Sequence, residues 1–274
     1  MPLTSAVFDR VRACLRQEAA IVLEPGKEYL VEARLGPLAR RLGYPDLDAF
    51  AEAALCGRDP SGRRRLVEAL ATNETSFFRD LHPFEALRKD VLPEVLKRRA
   101  SERELNVWCG AASSGQEPYS ILMTMLEHFP AIAEWKVRFF ATDLSEEMLE
   151  RCRAGRYSQF EINRGLPAAL LVKYFERHGL DWTAKEDLRR RIDFAVLNLV
   201  KEWPPMPAWD VVFLRNVLIY FDNDVKRKLV DRVRAAMHPE GYLFLGGAES
   251  LNGVHEGFER IVYDRTTVHR PTRS

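Results

Sequence analysis

Residues 1 to about 95 carry apolar positions at helical spacing. Val31, Leu35, Leu38 and Leu42 follow one another at intervals of 4, 3 and 4, one stripe along a helix. Gly36-Pro37 falls inside that stripe, so the helix bends there or starts afresh. Leu47–Leu55 and Arg63–Ala71 continue the pattern on either side of the turn-rich Gly57-Arg58-Asp59-Pro60-Ser61-Gly62. Phe84–Arg99 predicts a further helix, kinked or broken at Pro93. From about residue 104 the pattern changes to short apolar runs rich in β-branched and aromatic residues: Leu105–Cys109, Val137–Thr142, Ile192–Leu199, Val211–Leu214 and Tyr242–Leu245. Helical stretches from about Pro118, at Glu146–Ala154 and at Asp224–Met237 alternate with them. Such alternation predicts a mainly parallel sheet covered on both faces, and the alternating Phe258–His269 predicts antiparallel edge strands. Between Gly155 and Arg191, a helix-like Leu166–Arg177 is followed by Gly179-Leu180-Asp181-Trp182-Thr183, which reads as an excursion outside the main sheet.

The 274 residues, 46% of them hydrophobic, suffice for one large α/β domain or a medium one with a small appended domain. Forty-one Lys and Arg stand against 40 Asp and Glu, so bulk charge predicts no nucleic-acid partner, and any electrostatic recognition is local. Cys14, Cys56, Cys109 and Cys152 form no CxxC pair and the six histidines no HxxxH pair, so no metal site is expected and reduced thiols are. No apolar run approaches a membrane span and the N-terminus lacks a signal-peptide core, which predicts a cytoplasmic protein without membrane insertion.

Candidate chemistry gathers behind the first strand. Gly110-Ala111-Ala112-Ser113-Ser114-Gly115 is a small-residue turn that lets the backbone approach a ligand closely. Glu117 opens the next helix, where it complements the helix dipole or faces a ligand. In a pyrophosphate loop that acid would oppose the ligand's charge; it suits S-adenosylmethionine, which carries ammonium and sulfonium groups. Asp143 ends the second strand and either accepts hydrogen bonds from ribose hydroxyls or caps the helix beginning near Ser145.

Val107-Trp108-Cys109-Gly110-Ala111-Ala112-Ser113-Ser114-Gly115-Gln116-Glu117-Pro118-Tyr119-Ser120 resembles the signature of the CheR-type chemotaxis receptor methyltransferases. The resemblance continues in Ala71-Thr72-Asn73-Glu74-Thr75-Ser76-Phe77-Phe78-Arg79-Asp80, in Leu214–Phe221 and in His238–Gly246, in order along the chain. Ala112 and Gln116 replace the Cys and Glu frequent in the family, both without a change of size that threatens binding. The resemblance implies a class I methyltransferase (Rossmann-like) α/β domain plus a small N-terminal all-α domain. By position, the boundaries are 1–80 for helical substrate recognition and 81–274 for S-adenosylmethionine binding and catalysis, with a small inserted subdomain at about 156–191. It further implies cofactor contacts at Asn73, Thr75, Arg79, Gly115, Glu117, Asp143, Asn198, Leu199, Arg215 and Asn216.

The implied activity is O-methylation of glutamate side chains on a methyl-accepting chemotaxis receptor, giving methyl esters for sensory adaptation. A glutamate with a reference pKa of about 4.3 is already ionised, so no general base is needed and none is evident. Tyr220 is the candidate beside the transferring methyl, unless Ile219-Tyr220-Phe221 only ends a buried strand; Arg79 anchors either cofactor or substrate carboxylate. Lys27, Arg34 and Arg41 recur every seventh residue and, with Arg40, form a basic stripe on an unbroken helix. That stripe is either solvated surface or a steering face for the receptor's Glu- and Gln-rich methylation helix. His178-Gly179-Leu180-Asp181-Trp182 lacks the Gly-rich loop with which some family members grip a receptor's C-terminal pentapeptide, so tethering is not expected. Competing readings are a non-catalytic module sensing S-adenosylmethionine or S-adenosylhomocysteine, a small-molecule methyltransferase, and an NAD-type dehydrogenase, the last opposed by Glu117 and by the missing GxGxxG.

Overall fold

In the computed structural model, which describes residues 3–272, the N-terminal periodicity folds as α1 (Ser5–Ala19), α2 (Glu28–Arg41), α3 (Leu47–Leu55) and α4 (Gly62–Leu70). Each contributes a stripe to a shared core: Val11 and Leu15, Val31 and Leu35, Phe50 and Ala51, and Leu66 are almost wholly buried. α2 runs unbroken through Gly36-Pro37. Proline inside a helix costs about 3 kcal/mol, and burial of Val31, Leu35 and Leu38 on either side offsets it. Asp46 caps α3 by accepting the Ala49 N–H at 2.8 Å. These helices form a compact unit that extends to Thr72 and takes in Leu199–Glu202 and Tyr220–Val225.

The second unit covers Asn73–Asn198, Trp203–Ile219 and the chain from Lys226 onward. It opens with α5 (His82–Ala86), which passes through a π-turn, Leu87–Val91, into α6 (Leu92–Arg98). The Leu92 N–H reaches back to the Leu87 carbonyl, and this widened turn accommodates Pro93 without breaking the helix. There follow β1 (Glu104–Gly110), α7 (Gln116–His128), β2 (Lys136–Asp143), α8 (Glu146–Ala154), β3 (Arg156–Ser158), α9 (Gln159–Asn163), α10 (Ala168–Tyr174), β4 (Phe175–His178) and β5 (Asp181–Ala184). The chain then forms α11 (Glu186–Arg189), β6 (Asp193–Val196), β7 (Trp209–Phe213), α12 (Asn223–Ala236), β8 (Met237–Phe244), β9 (Phe258–Tyr263) and β10 (Thr266–Pro271).

Among the described residues the main sheet has seven strands in the order β6-β2-β1-β7-β8-β10-β9. The first five are parallel, and β10 runs antiparallel between β8 and β9. From β1 the chain moves to β2 on one side and returns later to β7 on the other. The carboxyl ends of β1 and β7 therefore form a switch point, where open α/β sheets hold ligands.

The excursion between α8 and β6 carries its own antiparallel sheet, β3-β5-β4. The helix expected over Leu166–Arg177 is shorter, because Phe175 is buried and Glu176–His178 pair with Asp181–Thr183 as a hairpin. Cross-strand pairing overrides helical periodicity there. The strand expected over Ile192–Leu199 is confined to Asp193–Val196, since the chain beyond it leaves the sheet. Among the described residues no helix is long and apolar enough to cross a membrane.

Candidate active site

Sheet register sets Gly110 beside Thr142 and Asp143 beside Val196, so the carboxyl ends of β1, β2 and β6 lie level. Cys109 pairs with Phe213, bringing the end of β7 alongside. The Gly110–Gly115 turn folds back on this edge. Ala111 and Ser113 adopt positive φ, the Ala112 N–H bonds the Thr142 carbonyl at 2.9 Å, and Gly115 (φ +96°) leads into α7. Asp143 is the turn's anchor: its Oδ2 accepts the Ser113 N–H at 2.7 Å and its Oδ1 the Ser145 N–H at 2.9 Å. The cap of α8 is Ser145, whose hydroxyl accepts the Met148 N–H, so capping does not explain Asp143. Burial pushes the Asp143 carboxyl above its ordinary range, against the pull of the backbone N–H groups of Ser145, Ser113 and Leu144. With about four lone-pair directions and three N–H groups engaged, the carboxylate keeps acceptor capacity for a ribose hydroxyl.

Glu117, in the first turn of α7, is buried and ion-paired with the Arg215 guanidinium. Arg215 follows β7, is also buried, and donates to Asp80 Oδ2 at 2.6 Å and to the Arg79 carbonyl at 3.2 Å. The Cys109 thiol donates to Glu117 Oε2 at 3.5 Å; burial foremost, and then Glu117, hold that thiol well above the usual range. Glu117 is therefore not a lone negative charge at a helix head. It is one member of a chain, Asp80–Arg215–Glu117. Arg215 Nε is buried without a hydrogen-bond partner among the described residues. Such a donor is costly unless something accepts from it, and the carboxylate of an amino-acid ligand has the chemistry to do so. The small-residue turn, the Asp143 acceptors and this orphan donor fit the ribose and methionyl ends of S-adenosylmethionine.

A strap formed by Asn73–Leu81 lies over the turn. The Ser113 hydroxyl donates to the Asn73 carbonyl at 2.8 Å, and Arg79 donates to the Glu74 carbonyl at 3.0 Å. Thr75 sits half-buried between them. Phe78, Asp80 and Leu81 all have positive φ, a strained run for residues with side chains. The Phe78 N–H is held by the Ser120 hydroxyl at 3.0 Å and the Phe77 ring packs edge-on against Tyr157 and Phe175.

This unit holds Asn73, Thr75, Arg79, Gly115, Glu117, Asp143, Arg215 and Asn216, with Asn198 two residues beyond β6. Leu199 and Tyr220 group instead with the helical unit. Tyr220 does not end a strand: β7 stops at Phe213, and Leu218–Tyr220 is a 3₁₀ turn that leaves Tyr220 half-exposed. On the helical unit Lys27, Arg40 and Arg41 are exposed, whereas Arg34 is half-buried and donates to the carbonyls of Leu70 and Ala71 at 2.6 and 3.0 Å, closing the end of α4. Asp80 and Glu249 were not singled out in the sequence. Asp80 ends one motif and Glu249 lies just past another, and only the fold shows what they hold.

Residues 6–71 match the family described as CheR methyltransferase, all-alpha domain, and residues 73–267 match CheR methyltransferase, SAM binding domain. The chain is similar to chemotaxis protein methyltransferase 1 of Pseudomonas aeruginosa, 38% identical over 274 residues and covering 98% of this chain and 99% of that protein. It is 37% identical to chemotaxis protein methyltransferase Cher2 of Pseudomonas putida, over 93% of this chain and 94% of that one. Against the chemotaxis protein methyltransferase of Escherichia coli it is 33% identical over 94% and 89% of the two chains. With both domains matched, and with a turn, an acid and a buried arginine meeting at the switch point of a mainly parallel sheet, the chain belongs to the CheR methyltransferase family and takes S-adenosylmethionine as its cofactor.

Proposed function

We propose that the protein methylates glutamate side chains on the cytoplasmic helical domain of a chemoreceptor, working in the cytoplasm. The observation that carries this reading is the Asp80–Arg215–Glu117 chain, with Arg215 and Glu117 buried, at the sheet edge that also carries Asp143, a site equipped for an amino-acid donor and free of any need for a base. S-adenosylmethionine supplies a methyl group on a sulfonium, an excellent leaving group. A substrate carboxylate oxygen forms the new C–O bond as the C–S bond breaks, and the sulfur keeps the electron pair.

The chain's residues bind, align and exclude water. Asp143 takes the ribose hydroxyls. Glu117 faces the ammonium, and Arg215 with Arg79 takes carboxylate charge. Asn73, Thr75 and Gly115 line the same crevice, with Asn198 and Leu199 toward the adenine and Asn216 at the edge of β7. Tyr220 and Arg79 act at the transferring methyl, the ring facing the sulfonium and the guanidinium holding the incoming glutamate. The helical unit up to Thr72 supplies recognition: Lys27, Arg40 and Arg41 meet an acidic helix, and Arg34 braces the face they stand on. The hairpin turn at Gly179-Leu180 is too short to grip a pentapeptide, and activity is independent of such a tether.

The test is transfer of radiolabelled methyl from S-adenosylmethionine to receptor cytoplasmic fragments that carry or lack the C-terminal pentapeptide. Label lost in mild base, and equal on both fragments, is expected. Base-stable label, or none, contradicts the reading.

A further inference from the structure

The Glu249 carboxylate gathers backbone N–H groups from two loops. Its Oε2 accepts from Asn216 at 2.7 Å and from Gly246 at 2.6 Å, and its Oε1 accepts from Ile219 at 3.3 Å. Asn216 and Ile219 lie in the loop after β7, and Gly246 lies in the turn after β8. These strands run in parallel with Phe213 beside Phe244, and the Leu214 N–H bonds the Phe244 carbonyl at 2.9 Å. One side chain thus clamps both loops at the carboxyl edge where Arg215 meets Glu117. The fit is close. A Cβ on Gly246 would lie 2.6 Å from Asn216 Nδ2 and 2.8 Å from Glu249 Oε2, and Asn216 itself is held at φ +58°.

We propose that Glu249 is a positioning residue for methyl transfer, fixing Arg215-Asn216 for the cofactor and Ile219 for the adjoining Tyr220. This rests on the function proposed above. A carboxylate accepts at both oxygens, and three converging N–H donors require that. Glutamine keeps the length and volume but turns an NH₂ toward donors, so Glu249→Gln separates clamping from space-filling. Gly246→Ala pushes on Asn216 and Glu249 from the other loop, and Glu249→Asp keeps both acceptor oxygens on a shorter stem.

The experiment is calorimetric titration of the full chain with S-adenosylhomocysteine, alongside methyl-transfer kinetics and thermal melting of the same samples. Glu249→Gln and Gly246→Ala are each expected to bind at least about tenfold more weakly and to lose at least about tenfold in kcat, with Glu249→Asp between them and wild type. The melting temperature of Glu249→Gln is expected to stay within a few degrees of wild type. Binding and kcat within about twofold of wild type in Glu249→Gln overturn the proposal, as does a loss of binding that only tracks a collapse in melting temperature across all three variants. Wild type that fails to bind S-adenosylhomocysteine would instead sink the functional reading itself.

Discussion

At the scale of single residues, the site turns on charges that were visible in the sequence and on pairings that were not. Glu117 was legible because an acid at the head of the helix after a glycine turn is a poor neighbour for phosphate. Its ion pair with Arg215 joins positions far apart in the chain, and no local pattern announces it. The pair is buried, with Arg215 1% and Glu117 11% exposed at the side chain, so removing one member strands the other. Glu117→Ala is expected to cost about 3 kcal/mol in urea unfolding. Arg215→Met added to it should cost much less than the sum of the two single changes. Strict additivity would mean that the two side chains are energetically independent. Asp143 was legible as an acid ending a strand, but its grip on Ser113 and Ser145 depends on the turn folding back, which only the structure displays.

At the scale of elements, the parallel strands and the helices between them followed from apolar runs and helical periods, because β7 and the carboxyl-terminal halves of β1, β2 and β8 are buried enough to read as short hydrophobic stretches. The insertion was legible only as a departure from that rhythm. Its short hairpin is stabilised by partners that propensity does not encode. It also reaches the strap: Gly165 has φ +105°, and a Cβ there would lie 2.1 Å from the Phe77 carbonyl. Backbone therefore packs on backbone, and this contact backs the strained run at Phe78, Asp80 and Leu81. Gly165→Ala is expected to displace the strap and destabilise the protein by about 2 kcal/mol. Methyl transfer should fall well beyond what the lost stability explains. Wild-type activity in Gly165→Ala would show that the strap's position does not matter.

At the scale of the whole molecule, a near-neutral chain of net charge +1 concentrates its function in local fields. Arg63, Arg64 and Arg65 face Glu18, Glu68 and Asp59 at 3.4, 3.6 and 3.5 Å, so the exposed positive charge of the helical unit rests more on Lys27, Arg40 and Arg41. The two-part architecture was legible from the change of pattern near residue 104, whereas the grouping of Leu199–Glu202 and Tyr220–Val225 with the N-terminal helices was not, since chain proximity is a property of the fold. We propose that the carboxyl edge of this sheet binds the methyl donor through Asp143. Calorimetric titration of wild type and Asp143→Ala with S-adenosylhomocysteine and with NAD tests it directly. Wild type is expected to bind S-adenosylhomocysteine and not NAD, and the variant to bind at least about tenfold more weakly. Equal affinity in the variant, or binding of NAD at the same edge, would contradict it.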